Sequence, residues 1–381
     1  MRICYLTPSY LPIVGGTEIV IKEISKRLAR RGHQIDIFTV NYLNAPSFET
    51  DGHINIFRTQ KRRGKIKIIT RQIDLFWEIY KRNKEDKYDL LHLFHPLALG
   101  GTAYFIHKFL KIPLVVSFMG TDILNNPRSY NYYLSIVINS ADLILSPSQS
   151  QIDDAKKIGL KKDVQIIPHG TSFLDKDKDC LKRKTEIRYK LGIGLSEVVI
   201  LTVNRFDKRK RVDVLLKSYA ELIKKVEKVK FIIIGTGPEF ISMTKMKDDL
   251  GLAGYLFFKG FISDNELKDY YLMSDIFVMH TTHEAFGIVY ADAMACALPV
   301  VTTTVGAVPE VVVDGETGLL VPPLSPLKLA DAILILINNK TLRLEMGLRA
   351  QQRAKKLFAW ESIVDQYEEK YKVIYGQQFS F

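Results

Sequence analysis

Short apolar runs and amphipathic stretches alternate along this chain, and the alternation occurs twice within its 381 residues. The first series predicts strands, with helices between them, at RICYLT, QIDIFTV, YDLLHLF, IPLVVSF, ADLILSPS and VQIIP. The second series predicts strands at EVVILTVN, VKFIIIG, YLFFKG, DIFVMH and PVVTTTV. Strands that alternate with helices form parallel sheets. The sequence therefore predicts two doubly wound, Rossmann-like α/β domains, each able to bind ligands at the carboxyl ends of its strands.

We expect the first domain to span residues 1–172 and the second to span residues 173–358. The stretch WESIVDQYEEKYKVIY predicts a C-terminal helix within residues 359–381 that crosses back to the first domain. The polar segment Thr171–Lys184 lacks periodicity, which is typical of a linker. The sequence contains no run of eighteen apolar residues and no recognisable signal peptide. We therefore expect no membrane-spanning helix.

The composition, 47% hydrophobic and 25% charged, is that of a soluble globular protein. Three cysteines, Cys4, Cys180 and Cys296, are odd in number and far apart in the sequence. This pattern fits a reducing cytoplasm and argues against a disulfide framework or a zinc site. No acidic cluster typical of a metal site is present. We therefore predict a cytoplasmic protein that uses neither a metal ion nor a cofactor.

Positive charge is concentrated in one segment of the chain. The formal net charge is +12, and residues 58–87 contain eleven Lys and Arg against four Asp and Glu. Such an excess attracts phosphate-rich partners. We interpret residues 58–87 as a surface for an anionic membrane, at which the protein would be peripheral on the inner face. The segment also carries an apolar stripe that could equally pack on the first domain, formed by Ile69, Ile73, Phe76 and Tyr80, with Trp77 beside it.

No motif for nucleic-acid recognition accompanies this charge, and no interleaved aromatic platform is present. We therefore expect no nucleic-acid partner.

Gly15 and Gly16 lie between the first predicted strand and the first predicted helix. Glycine lets a backbone approach a ligand closely, and the helix N-terminus behind the pair favours an anion. A plain turn before a helix explains the pair equally well. The pattern is not G-x-G-x-x-G, which argues against a nicotinamide cofactor.

Arg205 and Lys210 follow the first strand of the second series. Two cations at the carboxyl end of a strand can neutralise a diphosphate, although exposed Arg and Lys are common surface residues. Gly235 follows the next strand in a strong turn sequence, GTGP. The run FFKGFIS can present backbone groups to a base or simply be a core strand.

The segment HTTHEAFGIVYADAMACALPVV is the most informative. IVYADAMACA contains no Lys or Arg and predicts a buried helix, whose free N–H groups can hold phosphate. Asp292 lies one turn into this helix, and a carboxylate on a buried helix needs a partner. The vicinal hydroxyls of a ribose would provide one. Glu284, in the preceding loop, could reach a sugar instead.

Six motifs occur in a fixed order: GGTE, PHGTSF, NRFDKRK, GTGPE, the Glu284 segment and TTTVGAVPEVVVDGETGLLVPP. In this order and spacing the chain resembles the retaining glycosyltransferases of family 4, which have the GT-B fold of two Rossmann-like domains facing a central cleft. The resemblance covers nearly the whole length. It implies metal-independent transfer of a sugar, of the hexosyl type, from a nucleotide diphospho-sugar to an acceptor hydroxyl with retention of configuration. The acceptor, a glycan, a lipid-linked sugar or a small molecule, is not identified by the motifs.

The resemblance also implies roles for individual residues. Glu284 contacts the donor sugar, Asp292 binds the ribose, and Arg205 with Lys210 holds the diphosphate, so that Glu284, Arg205 and Lys210 form the catalytic set. His95 and Asp122 lie on the sugar or acceptor side, although His95 fits a core histidine equally well. The remaining expected donor-binding residues are Gly15, Gly16, Gly235, Phe261, Ile262, Phe286, Gly287 and Ile288.

The chain departs from the family pattern at several positions. Asp292 replaces the second glutamate of the acidic pair and is one methylene shorter. Arg211 stands where glycine is usual, Met119 where many members have histidine, and His169 where asparagine is usual. Two alternatives share the same architecture: a nucleotide-sugar epimerase, and an inactive module that only binds the donor.

Overall fold

The computed structural model describes residues 1–59, 67–120, 123, 128–174 and 180–377. The chain forms two compact units. The first unit comprises Met1–His169 and Trp360–Phe381, and the second comprises Gly170–Ala359.

A mainly parallel sheet is the centre of the first unit. Its strands are β1 (Arg2–Leu6), β2 (Gln34–Val40), β3 (Phe48–Asp51), β4 (Ile54–Thr59), β5 (Leu90–Phe94), β6 (Leu114–Ser117), β7 (Leu143–Ser146) and β8 (Gln165–Ile166). Within the described residues their order is β3-β4-β2-β1-β5-β6-β7-β8, and only β3 pairs antiparallel, with β4. The helices of this part are α1 (Gly16–Arg30), α2 (Lys67–Glu85), α3 (Pro96–Leu110), α4 (Arg128–Ser140) and α5 (Gln149–Lys157).

A second parallel sheet is the centre of the second unit. Its strands are β9 (Val198–Val203), β10 (Val229–Ile234), β11 (Leu256–Phe258), β12 (Ile276–Val278), β13 (Val300–Thr303) and β14 (Gly318–Val321). In the described part of this unit the order is β11-β10-β9-β12-β13-β14. The helices are α6 (Cys180–Lys190), α7 (Val212–Ile223), α8 (Phe240–Asp249), α9 (Asp264–Met273), α10 (Ile288–Ala295), α11 (Val308–Val311), α12 (Pro326–Asn338) and α13 (Lys340–Leu357).

The central strands of the second unit, β9, β12 and β13, are buried on both faces, as expected for parallel strands between two helix layers. Val199 and Leu201 of β9 face the core that contains α10, whereas Ile200 faces the core that contains α7 and α12. Both units thus have the doubly wound architecture predicted from the alternation of strands and helices.

The final helix, α14 (Trp360–Gln377), packs against α1 in the first unit, as predicted. Arg31, which follows α1, forms ion pairs with Asp365 at 2.7 Å and Glu368 at 2.9 Å. Hydrogen bonds from Lys372 and then from Arg31 lower the pKa of Glu368 to about 2. These charges therefore hold α14 against the end of α1.

A buried polar network also joins α14 to the first sheet. Tyr371 OH lies 2.5 Å from His92 Nδ1 and 3.2 Å from Tyr5 OH. His92 Nε2 lies 2.7 Å from Ser117 Oγ. Burial lowers the pKa of His92 well below its ordinary value, so the imidazole is neutral and hydrogen-bonded on both nitrogens. Each buried polar group of the network therefore has a partner.

The prediction of a linker over the whole segment Thr171–Lys184 was wrong at its C-terminal end. Helix α6 already begins at Cys180. Arg183 pairs with Asp269 at 2.6 Å, and Lys184 pairs with Asp275 at 2.8 Å, so partners distant in the sequence stabilise a helix that lacks a strong periodic pattern. The sequence analysis also did not predict the hairpin of β3 and β4, or β14.

The predicted apolar stripe on α2 was wrong at Ile73. Leu75 and Ile79 are fully buried and face the core, whereas Ile73 and Trp77 are 49% and 53% exposed. Apolar residues occur around most of this helix, so the spacing alone did not identify the buried face. The side chain of Ile69 lies outside the described residues. Among the described helices, none has the length and apolar composition needed to cross a lipid bilayer.

Candidate active site

The candidate site of the second unit lies where the sheet changes direction. Strand β9 lies between β10 and β12; the chain leaves β9 toward β10 and leaves β12 toward β13. The loops that follow β9 and β12 therefore diverge at the carboxyl edge, which is where doubly wound sheets bind ligands. Lys210 lies in the first loop and Glu284 in the second. Their side chains meet, with Nζ 2.5 Å from Oε2.

Backbone hydrogen bonds hold these two loops together. The carbonyl oxygen of Arg209 accepts the N–H of Thr282 at 2.9 Å, next to Lys210. The carbonyl oxygen of Glu284 accepts the N–H of Ala307 at 2.9 Å, from the loop after β13. Gly306 has φ +52, and a Cβ there would overlap the Glu284 carbonyl oxygen. The TTTVGAVPE motif therefore supports the backbone of Glu284, a role that the sequence analysis did not identify.

The two predicted phosphate-binding cations have different surroundings. Lys210 and Glu284 are only 18% and 15% exposed and form a shielded pair. Arg205 is exposed and forms no ion pair with any described residue. A shielded pair interacts more strongly than an exposed one, because water and salt screen it less. The structure thus places Lys210 against Glu284, whereas Arg205, in the same loop, is exposed and can contact a ligand.

Helix α10 begins directly after the Glu284 loop. Gly287 is its N-cap, with φ +82, and no side chain caps the helix. Its first N–H groups carry the partial positive charge of a helix N-terminus. Asp292, at the middle of α10, is 9% exposed, and its Oδ1 accepts the hydroxyl proton of Thr171 at 2.6 Å. Burial and then the charge of Asp292 raise the pKa of Tyr271 well above its ordinary value. The sequence analysis did not identify Thr171.

Several of the other expected donor-binding residues have a structural role in the second unit. Gly235 has φ +133, and a Cβ there would overlap the backbone of Asn204, so only glycine fits between the two loops. Phe286 is buried with its ring 5.4 Å from that of Phe358, which leaves its backbone as the part that can meet a ligand. Phe261 is exposed beyond β11, and Ile262 packs partly against the core.

The predicted residues of the first unit also lie at a change of direction. Gly15 caps α1 after β1, Gly16 begins that helix, and His95 caps α3 after β5; β1 and β5 are neighbours in the sheet. His95 has a left-handed backbone with φ +67, and its Nδ1 is buried without a hydrogen-bond partner among the described residues. Glu18, buried on α1 near Gly15, accepts a hydrogen bond from Ser9. Asp122 lies outside the described residues.

Among the residues described, no group of three or more His, Cys, Asp or Glu side chains is arranged to hold a metal ion.

Comparison with solved structures defines the class of this architecture. The chain aligns with sucrose-phosphate synthase from Thermosynechococcus elongatus with a TM-score of 0.86 and 21% identity, over 99% of both chains. It aligns with Anabaena HepE, solved in complex with UDP-glucose, with a TM-score of 0.81 and 20% identity, over 98% of this chain and 100% of that chain. The fold is therefore that of the GT-B glycosyltransferases, and the predicted fold class is confirmed.

Sequence comparison gives the family. A model described as "Glycosyl transferases group 1" matches residues 183–353, and one described as "Glycosyltransferase Family 4" matches residues 14–172. The N-acetyl-alpha-D-glucosaminyl L-malate synthase of Bacillus anthracis is 27% identical over 368 residues, which are 94% of each chain. The chain belongs to the group 1, or family 4, glycosyltransferases.

Proposed function

We propose that this glycosyltransferase moves a hexose from a nucleotide diphospho-sugar to an acceptor hydroxyl, with retention of anomeric configuration. The observation that carries the proposal is the shielded Lys210–Glu284 pair at the change of direction of the second sheet. One partner is suited to a phosphate and the other to sugar hydroxyls, because ammonium groups donate hydrogen bonds and carboxylates accept them. A diphospho-sugar carries a phosphate and sugar hydroxyls next to each other.

The remaining donor contacts follow from the same loops. The exposed Arg205 can reach a phosphate without breaking an ion pair within the described chain, and the N-terminus of α10 offers free N–H groups. Asp292, four residues into α10, would accept hydrogen bonds from the ribose. The HepE protein of the same fold was solved with UDP-glucose, which supports a nucleotide diphospho-sugar as the class of donor.

Catalysis in this scheme is electrostatic. Cleavage of the bond between the anomeric carbon and the phosphate oxygen leaves negative charge on the diphosphate, which Lys210 and Arg205 would stabilise. A preorganised donor of this kind is worth about 3 to 4 kcal/mol in the transition state. The acceptor hydroxyl attacks the same face of the sugar and gives its proton to the departing phosphate oxygen. Glu284 positions the sugar, and no covalent intermediate or metal ion is required.

The first experiment is thermal unfolding against a panel of nucleotide diphospho-sugars and free nucleoside diphosphates. Ligand at a hundredfold over its Kd adds about 2.7 kcal/mol, which for a unit of this size corresponds to a Tm shift of roughly 5 to 11 °C. The shift should occur with one nucleotide family and be lost in Arg205→Ala and Glu284→Ala. No shift with any member of the panel would refute the donor site.

Product analysis then tests the reaction. Transfer that survives EDTA and gives a product with the anomeric configuration of the donor is expected. An inverted product would refute retention, and loss of activity with EDTA that Mg²⁺ restores would refute metal independence. Conversion of the donor without any acceptor would indicate an epimerase, and binding without turnover would indicate an inactive module.

We also propose that the first unit docks on an anionic membrane at the cytoplasmic face. Helices α2 and α3 pack side by side, with Thr102 Oγ1 donating to the Gln72 carbonyl oxygen at 3.2 Å. The pair leaves several large apolar side chains and lysines exposed: Ile73, Trp77, Phe105, Phe109, Lys81, Lys84, Lys108 and Lys111. Aromatic residues next to lysines are typical of surfaces that lie at a membrane interface.

Co-sedimentation with vesicles tests this docking. We expect binding to vesicles that contain an anionic phospholipid, weaker binding to purely zwitterionic vesicles, and loss of binding as salt is raised. Charge reversal of Arg62, Arg63 and Lys65, which lie outside the described residues, should reduce binding, and so should the change Trp77→Ser. Tyr189→Ser, which removes an exposed aromatic side chain of the second unit, is the control. Equal binding by all these variants would refute the proposed surface.

A further inference from the structure

The carboxylate of Asp292 accepts a hydrogen bond from the hydroxyl group of Thr171. A second hydrogen bond to the same hydroxyl oxygen determines where its proton points. Thr171 Oγ1 accepts the backbone N–H of Phe173 at 3.2 Å and lies 2.6 Å from Asp292 Oδ1. A threonine hydroxyl has one proton, and a carboxylate can only accept. The amide of Phe173 donates to the oxygen, so the hydroxyl proton points to Asp292.

Thr171 itself is anchored by its backbone. Its N–H donates to the carbonyl oxygen of Phe358 at 2.9 Å, and it forms an isolated parallel bridge with Ala359. Two residues on, the ring of Phe173 packs 5.4 Å from the ring of Tyr271. The hydroxyl therefore cannot follow Asp292 if that side chain rotates. It is a fixed donor built into the segment that begins the second unit.

The buried environment of Asp292 favours such a donor. Its neighbours on α10, Ala291 and Ala293, are fully buried, and the helix contains no other charged residue. A carboxylate on a buried helix is costly without hydrogen bonds, and it can occupy several rotamers. Thr171 is 3% exposed, so its hydrogen bond to the carboxylate is shielded from water. Each carboxylate oxygen accepts more than one hydrogen bond, so the Thr171 contact is compatible with further hydroxyl donors.

We propose that Thr171 is a positioning residue that orients the Asp292 carboxylate toward the ribose hydroxyls of the donor nucleotide; this rests on the function proposed above. Aspartate has a short reach, and a bidentate contact with two vicinal hydroxyls tolerates only small errors in orientation. The hydrogen bond from Thr171 supplies that orientation before the nucleotide arrives. Thr171 does not touch the ligand; it acts through Asp292.

The experiment measures how strongly the full-length protein prefers ribose over deoxyribose. The probes are UDP, GDP and ADP with their 2′-deoxy counterparts, and the readout is the ratio of the two Kd values from titration calorimetry. The wild-type protein should prefer the ribonucleotide by about tenfold, because a hydrogen bond to a charged group is lost in the deoxy form. Thr171→Val removes the hydroxyl at nearly constant shape and should lower this ratio several-fold. Thr171→Ser keeps the hydroxyl and should retain the ratio.

Two further variants separate positioning from stability. Thr202→Val removes another fully buried hydroxyl of the second unit, which donates to the Val278 carbonyl oxygen at 2.6 Å and not to Asp292. It should lower stability without changing the ratio. Thr171→Ala gives a second measurement without the hydroxyl if Thr171→Val does not fold.

The outcomes distinguish this inference from the proposed function. If the wild-type protein binds none of the diphosphates, the proposed donor site fails. If it binds the ribo and deoxy forms equally, the ribose contact of Asp292 fails, and the role of Thr171 fails with it. If it prefers the ribonucleotide and the variants without the hydroxyl keep the full preference, Thr171 is not a positioning residue, whereas the donor site stands.

Discussion

Gly306→Ala tests whether a residue outside the proposed donor contacts controls the position of Glu284, the proposed catalytic carboxylate. Gly306 has φ +52, and an added Cβ would overlap the carbonyl oxygen of Glu284 and lie 3.2 Å from its carbonyl carbon and its nitrogen. The Glu284 backbone has little freedom to move away, because its carbonyl oxygen accepts the N–H of Ala307 at 2.9 Å. The change should therefore displace Glu284 from Lys210 as well as destabilise the second unit.

The magnitude has two parts. An alanine in the left-handed region costs about 1 to 2 kcal/mol, and overpacking against fixed backbone costs about 1 to 3 kcal/mol. Their sum, about 2 to 5 kcal/mol, lowers the Tm of a unit of this size by roughly 4 to 20 °C. Because a shift of about 1 Å in a catalytic group can cost up to 100-fold, kcat/KM should fall on the order of 10- to 100-fold.

Gly315→Ala is the matched control. Gly315 also has a positive φ, +74, but no heavy atom lies within 4 Å of an added Cβ. It should show only the conformational cost and normal kcat/KM. Thermal unfolding by circular dichroism and initial rates with the preferred donor provide both quantities. If Gly306→Ala costs no more stability than Gly315→Ala and keeps normal activity, the support of Glu284 by the loop after β13 is refuted.

Three other experiments have expected outcomes. Lys210→Ala leaves the shielded Glu284 without its cation and should lower the free energy of unfolding in urea by about 1 to 3 kcal/mol. Arg205→Ala, at an exposed residue, should change it by less than about 0.5 kcal/mol. Equal changes for the two variants would contradict the different surroundings of the two cations. The folded state lowers the pKa of Glu368 to about 2, so its ion pairs should stabilise the protein fully at pH values above the ordinary pKa of a glutamate and lose this effect as the pH falls toward 2. Glu368→Gln should remove that part of the loss of stability at low pH. If the variant loses stability with falling pH to the same extent as the wild-type protein does, the ion pairs of α14 do not contribute. Tyr371→Phe leaves His92 Nδ1 and Tyr5 OH without a partner and should cost about 1 to 3 kcal/mol in the same urea assay. Tyr132→Phe, at a tyrosine of the same unit that is 73% exposed, should change stability negligibly.

Local patterns in the sequence were sufficient for the order of the elements and for the most important helix. The alternation of apolar and amphipathic runs predicted the parallel sheets, and the absence of Lys and Arg predicted that the helix with Asp292 is buried. Local patterns failed where the stabilising partners are distant. The start of α6, up to Lys184, was interpreted as part of a linker because Asp269 and Asp275, which pair with it, occur more than eighty residues later.

The site shows the same division between local and long-range information. The residue types of Lys210, Glu284 and Asp292 indicated phosphate, sugar and ribose contacts, because those chemical groups are readable one residue at a time. The hydrogen-bond partners of these residues cannot be read from the sequence in this way. Lys210 meets Glu284 across a separation of 74 residues, and Thr171 meets Asp292 across 121.

The sequence by itself therefore determined the alternation of strands and helices, apart from β3, β4, β14 and the start of α6, and it determined which side chains bring charge to the strand ends. Only the tertiary structure decided which of those side chains meet. The reason is the order of the strands: β9 and β12 are neighbours in the sheet although β10 and β11 lie between them in the chain. Side-chain chemistry is local, whereas strand order is set by how the whole sheet buries its two faces.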